Sequence, residues 1–215
     1  AERAARARAD EYAAVSTLRV FVGTYNVCAQ RAAPLDAWLA GVDADIAAVA
    51  LQEIVPLTAQ QMLLSASEAA DAWDAHVARA LGADYVRLRR ESLFGTLLLV
   101  LVRADRLGDV RNVEGASKKT GLRGMSGNKG AVAIRMDVRD TSLALVGAHL
   151  TSGVAAVEER HAEAAAIAAG LAFSRGRTLA AHDHIVWAGD MNYRIDEPDA
   201  AEVRRLAVRA AQDRK

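Results

Sequence analysis

Four apolar runs of the sequence end in side chains that could bind a metal ion or a phosphate group. The groups at these four ends are Asn26, the pair Gln52 and Glu53, His149, and the pair Asp190 and Asn192. An apolar run that ends in polar residues is typical of a buried strand, and the ends of separate strands can meet at one edge of a sheet. The sequence therefore predicts that these groups converge in space.

A carboxylate at the end of a buried strand suits a hard cation. Glu53 follows the run AVAL, where it must be hydrogen-bonded, exposed or bound to a cation. Mg²⁺ takes few protein ligands and keeps waters and substrate phosphate. Asp190 and Asn192 project to the same side if the chain is extended. Taken singly, Glu53 could be a surface residue, the Asp-x-Asn pair an Asx turn, and His149 a hydrogen-bonded core histidine.

A basic, glycine-rich segment runs from Ser117 to Gly130 (SKKTGLRGMSGNKG). Backbone amides and ammonium groups in such a loop can surround phosphate. It is not a P-loop, because no glycine pair has the Walker A spacing to the lysine and an apolar strand follows where a helix should. A solvated connection between strands is equally consistent with this composition.

Strands and helices must position these groups. Six apolar runs are predicted strands: LRVFVGTYNV, IAAVALQE, FGTLLLVLVR, AVAIRMDV, SLALVGAHL and HIVWAGDMN. Two Ala-rich stretches, Thr58 to Leu81 and Val154 to Phe173, are predicted helices. The short polar turn VRDTS implies antiparallel neighbours, so a purely parallel sheet is not expected. The order of elements predicts an α/β fold.

The composition bounds the class of protein. The chain has 215 residues, 52% of them hydrophobic, which is enough for one core. Its formal net charge is zero, so the total charge predicts no general attraction to nucleic acid or to an anionic membrane. Cys28 has no cysteine to pair with in the chain, which favours a reducing compartment. With no apolar run long enough to span a bilayer, we expect a soluble, cytoplasmic protein.

Five segments, taken in order, resemble the inositol polyphosphate 5-phosphatases, and most closely the synaptojanin-like branch. They are FVGTYNV, DIAAVALQEIVPL, VRNVEGASKKTGLRGMSGNKGAVAIRM, HLTSG followed by EERHAEAAAI, and HDHIVWAGDMNYRI. The resemblance covers most of Leu18 to Ile195. It implies a four-layer α/β/β/α sandwich of the deoxyribonuclease I type. Residues 1–17 would then be a helical lead-in or linker, and residues 18–215 the N-terminal part of the catalytic domain.

The resemblance also implies roles for the residues at the strand ends. Glu53 would be the principal Mg²⁺ ligand, and Asn26 would support the metal and the phosphate. Asp190 would orient or activate the attacking water, Asn192 would donate to the scissile phosphate, and His149 would bind a phosphate oxygen. These roles agree with phosphate ester hydrolysis, which needs in-line positioning and neutralisation of charge on the phosphoryl oxygens.

Three further residues match positions of the family's motifs. By resemblance, Asn128, Lys129 and Arg194 would donate to the phosphates of an inositol ring. The implied substrate is phosphatidylinositol 4,5-bisphosphate or a related inositol phosphate, met at a membrane surface by a peripheral cytoplasmic protein. The sequence departs from the family where Arg160 is followed by His161, since Asn or Asp is usual there.

A second departure lies at the end of the sequence. After GDMNYRI, a predicted helix opened by Pro198 follows. The rest of the given sequence does not contain the family's Tyr-Lys-Tyr/Phe-Asp, Pro-Ala-Trp-Cys/Thr-Asp-Arg or Ser-Asp-His motifs. We therefore expect one sheet to lack partner strands, and a site without its last groups. Two alternatives remain: a nuclease of the same superfamily, which the neutral charge disfavours, and an inactive remnant that binds phosphoinositide.

Overall fold

The computed structural model describes residues 16–56, 66–121, 129–194 and 199–212. These residues form eight strands and four helices, joined by turns and short 3-10 segments. In chain order the elements are β1 Val20–Asn26, α1 Asp36–Leu39, β2 Ile46–Gln52, α2 Ala66–Leu81, β3 Tyr85–Leu93, β4 Thr96–Arg103, β5 Val110–Lys119, β6 Gly130–Val138, β7 Thr141–His149, α3 Val157–Gly170, β8 His184–Asp190 and α4 Ala200–Gln212.

The strands form two mixed sheets. Sheet A has the order β1-β2-β4-β3, and sheet B has the order β5-β6-β7-β8. The pairs β1–β2 and β7–β8 are parallel, and the other neighbours are antiparallel. The VRDTS turn joins the antiparallel strands β6 and β7, as predicted from its length. Mixed sheets rather than one parallel sheet are therefore confirmed.

Three apolar clusters hold the layers together. Between the sheets, Ile46, Val100, Ile134 and Leu145 belong to one buried cluster. On the outer face of sheet A, Trp73 of α2 packs with β2 and β4. On the outer face of sheet B, the cluster joins Ile167 of α3 to β6 and β7. The layers are helix, sheet, sheet and helix. Strand β2 is buried along its whole length, which explains why its sequence is an unbroken apolar run.

Two strands were not among the predicted ones. Both β3 and β5 are edge strands with charged, half-exposed residues, so neither has the apolar run that marks the inner strands. Arg90 of β3 makes an ion pair with the buried Asp74 of α2 at 3.4 Å. Residues 117–119, predicted as loop, instead form the end of β5. The loop prediction was wrong there, because these residues pair with the start of β6.

The helices lie within the predicted stretches. Helix α3 begins at Val157 and ends at Gly170, inside the predicted range, and α2 is described over Ala66–Leu81. Residues 58–65 of the predicted first helix lie outside the described residues, as does most of the lead-in 1–17. The helix predicted after GDMNYRI is present as α4, which begins at Ala200; Pro198, predicted to open it, lies outside the described residues. Within the described ranges, no helix is both long and apolar enough to cross a bilayer.

Candidate active site

The strand register brings the ends of five strands to one end of the sandwich. At the last position of the parallel pair β1–β2, Asn26 lies opposite Gln52. At the last position of β7–β8, His149 lies opposite Asp190. The first residue of β6, Gly130, lies opposite His149. Residues from both sheets are thus gathered at one place, as the sequence predicted from the polar strand ends.

One amide group links two carboxylates across the two sheets. Asn26 Nδ2 lies 3.0 Å from Glu53 Oε1 and 3.0 Å from Asp190 Oδ2. Asn26 Oδ1 accepts a hydrogen bond from the backbone nitrogen of Cys28 at 3.0 Å, so the amide orientation satisfies three partners. The side chains of Glu53 and Asp190 are 28% and 30% exposed, which leaves the carboxylates accessible to solvent.

Two of the predicted site residues have left-handed backbone conformations. Glu53 has φ 57° and Asn192 has φ 55°. Asn accepts this conformation more readily than Glu does. Such residues cost on the order of 1–3 kcal/mol each and persist where the surrounding structure determines them. Here the Glu53 carbonyl accepts from the backbone of Ala29 at 2.8 Å, and the Glu53 side chain contacts Asn26.

An ammonium group and an imidazole lie beside the carboxylates. Lys129 Nζ is 2.6 Å from His149 Nε2, which in turn is 3.8 Å from Glu53 Oε1 and 3.9 Å from Asp190 Oδ2. The His149 side chain is 1% exposed. Its burial, and then the charge of Lys129, lower the pKa of His149 below its usual 6.5. Burial also lowers the pKa of Lys129. At neutral pH the imidazole is therefore neutral, and its Nε2 accepts a hydrogen bond from Lys129 Nζ.

Asn192 forms hydrogen bonds that hold the segment after β8 against Asp190 and Leu150. The backbone nitrogen of Asn192 donates to Asp190 Oδ1 at 3.0 Å, and Asn192 Nδ2 donates to the carbonyl of Leu150 at 2.8 Å. Arg194 Nη2 donates to Asn192 Oδ1 at 3.1 Å. Arg194 is exposed and Asn192 keeps a second N–H, so both have donors for an anionic ligand.

The predicted phosphate-binding loop is described only at its two ends. Residues 122–128, with Asn128, lie outside the described residues. At the ends, the backbone nitrogens of Thr120 and Gly121 donate to the Lys129 carbonyl at 3.0 and 3.2 Å. Gly130 has φ 145°, and a Cβ there would lie 2.2 Å from the Lys118 carbonyl oxygen. Only glycine therefore allows the chain to enter β6 directly after Lys129.

Two buried charged residues of α3 were not predicted as part of the site. Arg160 is fully buried, and its Nη1 donates to the carbonyls of Thr151 and Gly153 at 3.2 and 2.6 Å. Its guanidinium lies 5.3 Å from the ring centroid of Tyr193. Glu163 is also buried and accepts from Thr151. The signal was present, because positions 160, 163 and 167 follow the inward spacing of an amphipathic helix.

The donor set at the strand ends fits a hydrated divalent cation. Among the described residues, no group of three or more His, Cys, Asp and Glu side chains could hold a metal ion. Two accessible carboxylates are nevertheless enough for Mg²⁺, which is commonly held by one or two carboxylates, waters and substrate phosphate. Glu53 and Asp190 provide such a pair. Asn26 faces both with its amide nitrogen, so its assignment as a ligand stays a prediction.

A four-layer sandwich with carboxylate, amide and imidazole groups at one end of its strands has the deoxyribonuclease I-like architecture. This chain belongs to endonuclease/exonuclease/phosphatase family 2, whose sequence profile matches residues 23–214. It is 42% identical over 200 residues to inositol-1,4,5-trisphosphate 5-phosphatase 1 of Schizosaccharomyces pombe, covering 88% of this chain and 19% of that protein. It is 35% identical over 221 residues to synaptojanin-1 of Homo sapiens, covering 91% of this chain and 14% of that protein.

A solved structure resembles this one in both fold and sequence. It is the inositol polyphosphate 5-phosphatase domain of SPsynaptojanin in complex with inositol (1,4)-bisphosphate and a calcium ion. The TM-score is 0.80 at 36% identity, and the match covers 96% of this chain and 62% of that one. The predicted sandwich fold and the resemblance to synaptojanin-like 5-phosphatases are confirmed. The chain spans less than two thirds of each of these proteins.

Proposed function

We propose that this chain carries the catalytic site of a Mg²⁺-dependent phosphoinositide 5-phosphatase. It would hydrolyse the 5-phosphate of phosphatidylinositol 4,5-bisphosphate or of a related inositol phosphate. The observation that supports this most is the amide of Asn26, which bridges Glu53 and Asp190 beside the Lys129–His149 pair. The names of its relatives and the inositol bisphosphate bound by the SPsynaptojanin domain support the same substrate class.

Glu53 and Asp190 would hold the cation. When bound, Mg²⁺ neutralises charge on the phosphoryl oxygens, which is a main requirement of phosphate ester hydrolysis. The two carboxylates are accessible and already held together by Asn26, so little rearrangement of side chains is needed to receive the ion. Because both acids would face the cation, the loss of either charge should weaken cation binding.

Asp190 would also orient a water molecule. Its Oδ1 accepts from the backbone of Asn192, and its Oδ2 accepts from Asn26, so the plane of the carboxylate is held from both sides. Each oxygen retains a further lone pair. A water bound there can give up a proton to Asp190 as it attacks phosphorus in line with the leaving oxygen. These contacts support the role that the resemblance implies for Asp190.

Positive charge for the phosphates comes from Lys129 and Arg194. Lys129 is half-buried, where an ammonium group interacts more strongly with an anion than it does in bulk water. Arg194 is exposed at the rim of the site and presents a planar donor fork. His149 is neutral and buried, and its Nε2 accepts a hydrogen bond from Lys129, so it orients the ammonium group and adds no charge of its own. We further propose that the protein acts as a peripheral protein at a cytoplasmic membrane surface.

The test combines binding and turnover. Phosphate release from dioctanoyl phosphatidylinositol 4,5-bisphosphate is measured with Mg²⁺ and with EDTA, and the affinity for inositol 1,4-bisphosphate is measured by calorimetry. Asp190→Asn is the test variant. Asp183→Asn is its matched control, since Asp183 precedes the opposite end of β8 and contacts Ser142. We expect release that requires Mg²⁺ and falls about 100-fold or more in Asp190→Asn alone.

Other outcomes would separate the alternatives. Binding of inositol 1,4-bisphosphate without release would support a binding protein instead of an enzyme. Cleavage of an abasic DNA duplex without phosphate release would support a nuclease. A folded chain that shows none of these activities would contradict the proposed function. Release from the short-chain lipid but not from vesicles of phosphatidylcholine with 5% phosphatidylinositol 4,5-bisphosphate would contradict action at a membrane surface.

A further inference from the structure

Helix α3 places a carboxylate behind the site. Glu163 is buried, and its two oxygens accept three hydrogen bonds. Oε1 accepts from the hydroxyls of Thr120 and Thr151 at 3.1 and 2.8 Å, and Oε2 accepts from the backbone nitrogen of Thr151 at 2.7 Å. Across the described ranges, no lysine or arginine forms an ion pair with it. A buried carboxylate is stable only if such donors replace its lost hydration.

The two threonines are linked to the Lys129–His149 pair, Thr120 by a hydrogen bond and Thr151 along the chain. The backbone nitrogen of Thr120 donates to the Lys129 carbonyl at 3.0 Å. Thr151 lies two residues after His149 in the chain. Since Lys129 Nζ and His149 Nε2 are 2.6 Å apart, the contacts form a closed ring that passes through Glu163. Glu163 is the one member of this ring that bonds to both strand connections at once, the β5–β6 loop and the segment after β7.

A role in helix packing alone does not account for this arrangement. Arg160 lies one turn before Glu163, and both are buried. Opposite charges at this spacing commonly pair with each other on a helix. In the part of the chain that the structure describes, the two side chains do not pair. Arg160 donates to the carbonyls of Thr151 and Gly153, while Glu163 accepts from Thr151 and Thr120. Both charges are directed to segments that carry site residues.

We propose that Glu163 is a positioning residue that holds Lys129 against His149, so that the ammonium group is in place for a phosphate of the ligand. The proposal rests on the proposed function for the identity of that ligand. Glu163 makes no contact with the carboxylates of the site and acts through Thr120 and Thr151. Without the Glu163 carboxylate, the hydrogen bonds that link Thr120 at the end of the β5–β6 loop to Thr151 after β7 are lost. The Lys129–His149 contact then loosens.

The first measurement needs no ligand. Amide hydrogen exchange is followed by NMR in the wild type, Glu163→Gln and the control Glu158→Gln, whose side chain is 95% exposed on the same helix. Glutamine keeps the size of Glu163 but removes its charge and replaces one of its two acceptor oxygens with an N–H₂ group. We expect the amides of Thr120, Gly121 and Thr151 to exchange about tenfold faster in Glu163→Gln and to be unchanged in the control. Equal acceleration throughout α3 and sheet B would instead indicate a structural role and overturn the proposal.

The second measurement asks whether Glu163 acts through Lys129. The affinity for inositol 1,4-bisphosphate with Mg²⁺ is measured for Glu163→Gln, Lys129→Met and the double variant. We expect each single change to weaken binding about tenfold, and the double variant to bind no more weakly than Lys129→Met. If the two losses multiply, Glu163 acts independently of Lys129 and the proposal is wrong. If the wild type binds no inositol bisphosphate, the proposed function fails, and the exchange measurement alone decides the role of Glu163.

Discussion

The amide nitrogen of Asn26 lies 3.0 Å from Oδ2 of Asp190, although 164 positions of sequence separate the two residues. The same nitrogen is 3.0 Å from Glu53 Oε1. One neutral donor thus holds two like charges together at the junction of two sheets. A divalent cation would relieve the same repulsion, so the stability of the protein and the occupancy of the site should be linked.

Replacing this amide with a carboxylate should make the fold depend on divalent cations. Asn26→Asp removes both hydrogen bonds and adds a third negative charge. We expect the free energy of unfolding in EDTA to fall by roughly 1–2 kcal/mol. Saturating Mg²⁺ should restore most of this loss, because the added carboxylate can also face the ion. Urea denaturation with EDTA and with Mg²⁺ measures both effects.

Asn112→Asp is the matched control for this change. Asn112 Nδ2 also donates to a carboxylate, Asp137 Oδ2 at 2.7 Å, but away from the site. Its substitution should lower stability without any rescue by Mg²⁺. Equal rescue of both variants, or of neither, would contradict a cation site at Glu53 and Asp190.

Gly189→Ala should destabilise the protein strongly. Gly189 has φ 140°, and a Cβ there would lie 1.9 Å from the carbonyl oxygen of Ala148. Strain and overlap together should cost about 3 kcal/mol or more. Gly147→Ala, on the adjacent strand, is the control, because its Cβ would meet only ordinary contacts at 3.4 Å and beyond. We expect that change to cost within about 1 kcal/mol in urea denaturation. Similar losses for both would refute the assigned backbone constraint.

Asp45 should make stability depend on acid pH. It is buried, and its carboxylate accepts from the backbone of Arg19 at 2.7 Å and from Arg106 at 3.2 Å. The Arg19 hydrogen bond, and then the charge of Arg106, lower the pKa of Asp45 below 3.8. The unfolded chain therefore binds a proton first, so this stability is present above pH 3.8 and is lost as the pH falls through the folded-state pKa.

The variant Asp45→Asn tests this dependence. It should lower the free energy of unfolding at pH 6 by about 1 kcal/mol. Its stability should then fall less steeply than that of the wild type as the pH is lowered towards 3. Urea denaturation across this range measures the slope, and Asp140→Asn, at a fully exposed side chain, should follow the wild type. Parallel curves for Asp45→Asn and the wild type would show that another acid is responsible.

Arg194→Gln should weaken the binding of inositol 1,4-bisphosphate about tenfold. The guanidinium is exposed next to Asn192 and provides both charge and a donor fork. The loss of affinity should become smaller as the ionic strength rises, since salt screens an exposed charge. Arg205→Gln is the control, because Arg205 lies on α4 and pairs with Glu202. Calorimetry at low and high ionic strength would contradict this role if Arg194→Gln and Arg205→Gln bind equally well.

The inner strands and the edge strands β1 and β8 could be predicted from the sequence, whereas the charged edge strands β3 and β5 could not. Strand β2 is buried on both faces, so its apolar run has a single interpretation. Strand β3 carries Arg87 and Arg90, whose partner Asp74 lies on α2. A charged strand is recognisable only when the residues that neutralise it are known, and here they lie on another element. Strand β5 was missed for the same reason, since the partner of its Glu114 is Ser174, outside the strand.

The site residues divide in a similar way. Glu53, His149 and Asp190 could be proposed because each ends an apolar strand, and their proximity is now seen. Glu163 was missed because a charged residue on an Ala-rich helix is usually solvated. Its burial depends on Thr120 and Thr151, which are donors from two distant segments.

The sequence by itself determined the apolar runs, the polar residues that end them, and the motifs that indicate the family. These are local properties, since periodicity and chain direction specify which residues lie at the end of a strand. Only the tertiary structure decided that Asn26 presents its nitrogen to both Glu53 and Asp190, and that Lys129 meets His149. Such contacts depend on the register and packing of two sheets, which place separate strand ends within ångströms of each other.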